Sequence, residues 1–129
     1  MIRLSGGGDQ FSLYFGGRLA LSHTPDRPFV TLGRGRADYK MTHGSFRIRD
    51  RVQERRPVFG WQIERLPRGE LGATGPGFLL TAPGEMRCTV REEQGRLVIG
   101  FESLKAETNR VWLRLPASPG EHLYGCGEQ

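Results

Sequence analysis

The sequence contains few of the residues from which disulfide frameworks and metal sites are built. Its two cysteines, Cys88 and Cys126, are too few for a disulfide framework and lack the spacing of metal ligands. The three histidines, His23, His43 and His122, lie far apart, and none shows the spacing of a zinc or Cys-His site. We therefore predict that the chain holds neither a metal ion nor another cofactor.

Long apolar runs are also absent from the sequence. No segment approaches the ~18 consecutive apolar residues of a membrane-spanning helix. The first residues, Met1 to Gly6, contain no apolar core of a signal peptide. These absences predict a cytoplasmic location and no membrane partner.

Residues 1–129 are expected to form a single domain or part of one, because independent domains typically run to roughly 100–200 residues.

Lysine is scarce, so arginine supplies nearly all of the positive charge behind the net charge of +5. The densest cationic patch consists of Arg47, Arg49, Arg51, Arg55 and Arg56. Asp50 and Glu54 lie within this patch, and no series of aromatic residues for base stacking accompanies it. We therefore interpret the patch as a solvated strand face and predict no nucleic-acid partner.

Helical periodicity is hard to find, because 19 glycines and 8 prolines interrupt most windows long enough for a helix. Apolar residues instead alternate with polar ones from Phe11 to Phe15, and Gly16-Gly17 offers the positive φ angles of a tight hairpin turn. A second hairpin is predicted from Met86–Val90 and Leu97–Phe101, with a loop at Glu92–Gly95. The pattern predicts an all-β chain folded as an antiparallel β-sandwich.

Three further segments alternate in the same way, and each is expected to form a half-buried strand. They are Phe46–Arg49, Trp61–Glu64 and Val111–Leu115. Gly6-Gly7-Gly8 is predicted to be a flexible lead-in, and Pro67 to Gly77 a loop or a weak edge strand. Cys88 alternates with its apolar neighbours, so we expect it to be a small buried hydrophobic residue.

No motif in the chain indicates catalysis. Gly33-Arg34-Gly35-Arg36 contains the glycines of a phosphate cradle, but such loops precede a helix, so a turn between strands is predicted here. Carboxylates occur mostly at exposed strand or turn positions, which gives no acid/base pair. They include Asp38, Asp50, Glu64, Glu70, Glu92 and Glu93. Serine and histidine occur without a nucleophile elbow, so no catalytic residue is predicted in this chain.

The C-terminal segment carries a recognisable motif. Composition alone favours a glycine-rich turn at Gly125-Cys126-Gly127. However, Tyr124 to Gln129 resembles the "YG-x-GE" signature in the N-terminal β-sandwich of glycoside hydrolase family 31, the α-glucosidase family. Asn109 to Leu115 resembles the strand that leads into this signature in the bacterial sulfoquinovosidase branch, to which Cys126 also points. Further matches are Phe11–Leu13, Arg18-Leu19, Gly44–Asp50 and Gln94–Leu97.

This resemblance implies the galactose mutarotase-like β-sandwich of family 31, in an incomplete form, as a non-catalytic N-terminal domain. Members are retaining glycosidases acting on α-glycosides, here of glucose or 6-sulfo-quinovose, and their two catalytic aspartates belong to a (β/α)₈ barrel expected downstream of Gln129. The remainder of the parent enzyme would then be the partner, and the carbohydrate substrate would bind only to the full enzyme. The motif residues implied near the active-site entrance are Gly125, Cys126, Gly127, Glu128 and Gln129.

A stand-alone β-sandwich module that binds carbohydrate or protein without catalysis is the alternative. Tyr14, Trp61 or Trp112 could stack on sugar rings, although aromatic strand residues more often belong to a core. If the sandwich requires strands after Gln129, a sheet edge and an apolar face stay uncovered, and we expect self-association.

Overall fold

A computed structural model describes residues 1–67, 77–117 and 119–120 of the chain. Within these residues the chain forms ten β-strands and no helix. The strands are β1 (Ile2–Gly7), β2 (Gln10–Phe15), β3 (Arg18–His23), β4 (Val30–Thr42), β5 (Ser45–Pro57), β6 (Gln62–Leu66), β7 (Gly77–Ala82), β8 (Met86–Glu93), β9 (Arg96–Ser103) and β10 (Arg110–Leu113). Every strand pair is antiparallel, which confirms the predicted all-β antiparallel class.

The strands form three sheets, with the orders β1-β2-β3, β10-β4-β5 and β6-β7-β8-β9. One hydrophobic core lies between them and takes alternate residues from each sheet. Its largest fully buried apolar side chains are Phe29, Leu13, Leu21, Leu80, Met86, Val30, Val58, Val90 and Cys88. Burial raises the pKa of the Cys88 thiol to about 12, so Cys88 is the predicted inert core residue.

Both predicted hairpins are present. Gly16 and Gly17 have φ angles of 59° and 79° in the turn between β2 and β3. Gln94 and Gly95, with φ angles of 51° and 75°, form the turn between β8 and β9. Two-residue turns with positive φ at both positions match the right-handed twist of the strands they join. The second loop is shorter than predicted, because Glu92–Glu93 extends β8 and pairs with β9.

The glycine-rich start is not a flexible lead-in, so that prediction was wrong. Gly6 and Gly7 belong to β1 and pair with Phe11 and Gln10, and Gly8 lies in the following turn. A Cβ atom on Gly6 would overlap the carbonyl oxygen of Gln10. Gly6 therefore allows the close approach of the Gln10 backbone.

The segment Gly33–Arg36 is also not a turn, since it lies inside β4. The ring of Trp112 lies across Gly33, where an added Cβ would be 2.7 Å from ring carbon Cζ3. The guanidinium of Arg55 lies 4.5 Å from the centre of the same ring. Glycine serves here to let an aromatic ring approach the backbone.

Two apolar strand faces predicted to be half-buried are exposed. Phe46 and Ile48 are 56% and 59% exposed, and Val111 and Leu113 are 51% and 42% exposed. The alternation predicted the strands correctly but not their burial, because no other described segment covers these faces. Trp61 is buried as expected and precedes β6. The segment predicted over 67–77 lies mostly outside the described residues, although Gly77 begins β7.

We predict that Gly33→Ala destabilises the chain by about 1–3 kcal/mol, because the methyl group overpacks against Trp112 and the Glu54 carbonyl. Gly7→Ala is the matched control, since it lies in a strand with no atom within 4 Å of an added Cβ. The control should change stability by less than about 0.5 kcal/mol. Urea denaturation measures both, and equal midpoints for the two variants would contradict the tight contact.

Candidate functional site

The structure brings together an acid–base pair, the half-buried Asp9 and the buried His23, which sequence reasoning missed. His23 ends β3 with no exposed surface, and its Nε2 lies 3.1 Å from Asp9 Oδ1. Its Nδ1 accepts a hydrogen bond from the Phe29 backbone N–H at 3.2 Å. Because Nδ1 is an acceptor, the proton of the neutral ring must lie on Nε2, which donates to Asp9.

Asp9 lies in the turn between β1 and β2 and accepts hydrogen bonds from backbone N–H groups of a segment distant in sequence. Its carboxylate accepts hydrogen bonds from the N–H groups of Gly60 at 2.9 Å and Trp61 at 3.4 Å. Burial opposes ionisation of Asp9, but the hydrogen bonds from His23, Gly60 and Trp61 outweigh it and lower the carboxyl pKa. An ionised Asp9 therefore joins the first sheet to the segment that enters β6.

Aromatic rings surround His23 and exclude water from it. The ring centres lie 5.2 Å away for Phe11, 5.6 Å for both Phe29 and Phe59, and 6.3 Å for Trp61. Burial lowers the pKa of His23, and the opposing effect of Asp9 does not offset it. Both ring nitrogens of His23 are engaged and its ring has no exposed surface, so we interpret the pair as structural rather than catalytic.

A second polar cluster is centred on Glu85. Its carboxylate contacts Arg56 Nε at 2.9 Å and Lys105 Nζ at 2.8 Å. Burial opposes its ionisation, but hydrogen bonds from Lys105 and Arg56 lower the pKa of Glu85. Arg56 also contacts Glu54 at 2.9 Å. Arg56 of the predicted solvated patch is thus half-buried in an ion-pair network, while the other four arginines of the patch are exposed as predicted.

The described residues contain no group of three or more His, Cys, Asp and Glu side chains that could hold a metal ion. No helix among them is long and apolar enough to cross a membrane. The predicted motif residues at the C-terminus, Gly125, Cys126, Gly127, Glu128 and Gln129, lie outside the described residues. Their place near an active-site entrance stays a prediction.

The aromatic residues considered for sugar stacking are engaged within the chain. Trp61 is 3% exposed. The guanidinium of Arg3 lies 4.3 Å from the ring centre of Tyr14, and Arg55 covers Trp112 in the same way. None of the three offers a free, fully exposed ring.

An open groove lies between the sheet that contains β4 and β10 and the sheet that contains β8 and β9. It has a volume of about 210 Å³, and we call it the inter-sheet groove. Its lining residues are Leu32, Met86, Phe101, Ser103, Thr108, Asn109, Arg110 and Val111. Val111 pairs with buried Leu32 and shares its face of the sheet, yet is half exposed. The groove therefore leaves part of the sandwich interior open.

No protein-family model matches the chain. In fold, the chain is similar to a family 31 sulfoquinovosidase from E. rectale solved in complex with an aza-sugar inhibitor. That match has a TM-score of 0.73 and 24% sequence identity, and it covers 89% of this chain and 16% of that one. The all-β architecture is thus that of a glycoside hydrolase family 31 N-terminal β-sandwich.

Sequence comparison supports the same relationship. The chain is 37% identical over 121 residues to the sulfoquinovosidase of Escherichia coli and 34% identical over 125 residues to that of Agrobacterium fabrum. Each match covers 94% of this chain and 17% of the relative's length. The resemblance found in the sequence is confirmed: the chain is related to the N-terminal part of family 31 sulfoquinovosidases.

We predict that the chain loses stability as pH falls from about 7.5 to 5, because its unfolded state takes up a proton on His23 at the ordinary pKa of about 6.5. The folded state binds that proton only at lower pH, since its His23 pKa is lowered. His23→Gln should flatten this slope in urea denaturation series, and the exposed His43→Gln should leave it unchanged.

Asp9→Asn tests the same pair if His23→Gln fails to fold. It removes the charged acceptor and keeps the histidine, so the urea midpoint at about pH 7.5 should fall while a pH slope remains. A slope that disappears in His43→Gln, or a midpoint that Asp9→Asn leaves unchanged, would contradict the assignment.

Proposed function

We propose that this chain is the non-catalytic N-terminal β-sandwich of a retaining α-glycosidase of the sulfoquinovosidase type. The parent enzyme would hydrolyse α-glycosides of glucose or 6-sulfo-quinovose, in the cytoplasm and without a cofactor. The observation that carries the proposal is the match over 94% of this chain to sulfoquinovosidases of which it spans only 17%. The sandwich supports a catalytic (β/α)₈ barrel and helps to shape the active-site entrance.

The state of the carboxyl groups supports a non-catalytic role. Retaining glycosidases need a protonated carboxylic acid and a carboxylate about 5–5.5 Å apart. Here the pKa values of Asp9 and Glu85 are lowered by hydrogen bonds, and a hydrogen bond from Arg110 lowers that of Asp50. A general acid requires the opposite shift. None of these three groups therefore has the raised pKa of a general acid, which supports chemistry carried by another part of the parent enzyme.

The uncovered apolar surfaces support a role as one part of a larger protein. Val111 and Phe101 border the inter-sheet groove and are 51% and 37% exposed. Leu113 and Leu115 follow Val111 along the chain and are 42% and 49% exposed. Large apolar patches of this kind mark interaction sites on soluble proteins. The remainder of the parent enzyme would cover them, whereas the isolated chain would bury them by self-association.

A stand-alone carbohydrate-binding module is less well supported. Such a module needs aromatic rings with a free face for sugar, whereas Trp61 is buried and the rings of Tyr14 and Trp112 carry arginines. No described aromatic residue of that set is available for stacking.

We predict that residues 1–129 replace the matched segment of the Escherichia coli sulfoquinovosidase in a chimera that hydrolyses a chromogenic α-sulfoquinovoside. Deleting the segment should lower kcat/KM by at least about 100-fold, because misplacement of barrel loops by about 1 Å has effects of that size. The isolated chain should show no turnover. Turnover by the isolated chain, or a soluble chimera no more active than the deletion, would contradict the proposal.

A further inference from the structure

The longest strand pair of the molecule extends beyond its sheet. Strands β4 and β5 pair from Thr31 and Pro57 to Thr42 and Ser45, whereas β10 pairs only with residues 30–33 of β4. Past the register shift at Arg34/Gly35, the described chain provides no third strand. We call residues 37–50 the arm. The two-stranded ribbon from Gly35 is about 26 Å long, and isolated two-stranded hairpins are marginally stable in water.

The two faces of the arm differ sharply in chemistry. Residues opposite each other in an antiparallel pair share a face. Tyr39 pairs with Ile48, and Met41 with Phe46, so these four side chains form the apolar face of the arm, with the Ala37 and Asp50 pair at its base. The other face carries Asp38, Lys40, Arg47 and Arg49, and the Arg36 and Arg51 pair continues this face just below the arm.

The apolar face is open to solvent but internally ordered. Tyr39, Met41, Phe46 and Ile48 are 66%, 74%, 56% and 59% exposed. The rings of Tyr39 and Phe46 stack with centres 5.8 Å apart. These side chains expose apolar area on the order of 500 Å², near the upper end of the largest patch on a typical monomer.

Contacts at the base of the arm fix its direction. The side-chain amide of Asn109 bonds the Gly35 backbone twice, accepting from N–H at 2.9 Å and donating to C=O at 3.0 Å. Arg110 donates two hydrogen bonds to the carboxylate of Asp50. A surface held in this way loses little conformational entropy when it binds.

We propose that the arm docks through its apolar face on the remainder of the parent polypeptide, against an apolar surface with acidic groups at its rim. This inference rests on the proposed function. The acidic rim follows from charge: the opposite face carries five cations and one carboxylate, Asp38, which contacts Arg36 and Arg51. Long arginine and lysine side chains reach past a strand edge toward a partner's rim.

Area and charge favour this occupant over a second copy of the chain. A stable interface buries about 800 Å² per partner, and the arm offers on the order of 500 Å². A covalently linked partner needs less area, because linkage gives an effective concentration near the millimolar range. Two arms packed face to face would also bring cationic rims together, which is unfavourable.

Hydrogen exchange of the arm in the isolated chain and in the chimera described above tests the inference. Docking should slow the backbone amides of residues 37–50 at least about tenfold in the chimera, because opening the arm then requires undocking. Peptides from the β8–β9 turn are the internal reference and should exchange alike in both proteins. An active chimera whose arm exchanges as fast as in the isolated chain would overturn the inference and leave the proposed function standing.

A pair of matched variants identifies the occupant. Phe46→Arg should speed arm exchange in the chimera about tenfold and lower its urea midpoint, because a charge replaces a docked ring. Leu19→Arg, at a 41% exposed position of β3 outside the arm, should do neither. Equal effects of the two variants would refute docking through the arm.

Sedimentation that shows a dimer of the isolated chain, abolished by Phe46→Arg alone, would assign the face to a second copy. An inactive chimera would reject the proposed function and this inference with it.

Discussion

The hydrogen-bonded pair of Asp9 and His23 connects the first sheet to the segments that lead into the other two sheets. Asp9 belongs to the first sheet's hairpin turn, and its backbone partners Gly60 and Trp61 lead into β6 of the third sheet. Through Nδ1, His23 also holds the N–H of Phe29, immediately before β4 of the second sheet. The surrounding aromatic rings strengthen these polar contacts by excluding water, so that one neutral histidine and one carboxylate set the relative placement of the sheets.

The arm is held by a different kind of contact. At its base, the ring of Trp112 packs against Gly33, which has no side chain. Two hydrogen bonds also join the Asn109 side chain to the Gly35 backbone. Both contacts come from the segment at β10, which is short and lies at a sheet edge. The direction of the arm is thus determined by residues remote from it in sequence, while its faces follow from local alternation.

The sequence predicts what depends on local chemistry and fails where distant residues decide. The hairpins at Gly16-Gly17 and Gln94-Gly95 follow from alternation and glycine at turns. Gly33 was predicted to lie in a turn between strands, yet it lies inside β4, where its lack of a side chain makes room for Trp112. The Asp9–His23 pair spans fourteen residues and carries no spacing motif, so only the fold brings it together. The family relationship was accessible because the sequence carries motif residues, whereas local alternation does not show that the apolar face of the arm is exposed.

A clear division follows between the inside of this sandwich and its surface. Two polar clusters of the described residues are matched internally: Asp9 with His23, and Glu85 with Arg56 and Lys105. Groups paired in this way hold fixed protonation states, which suits a scaffold and not a proton-transferring site. The unmatched features are apolar and lie on the arm and along the inter-sheet groove. This combination agrees with the proposed role, in which the chain would act by holding other parts of an enzyme in position, since misplacement by about 1 Å can change a rate strongly.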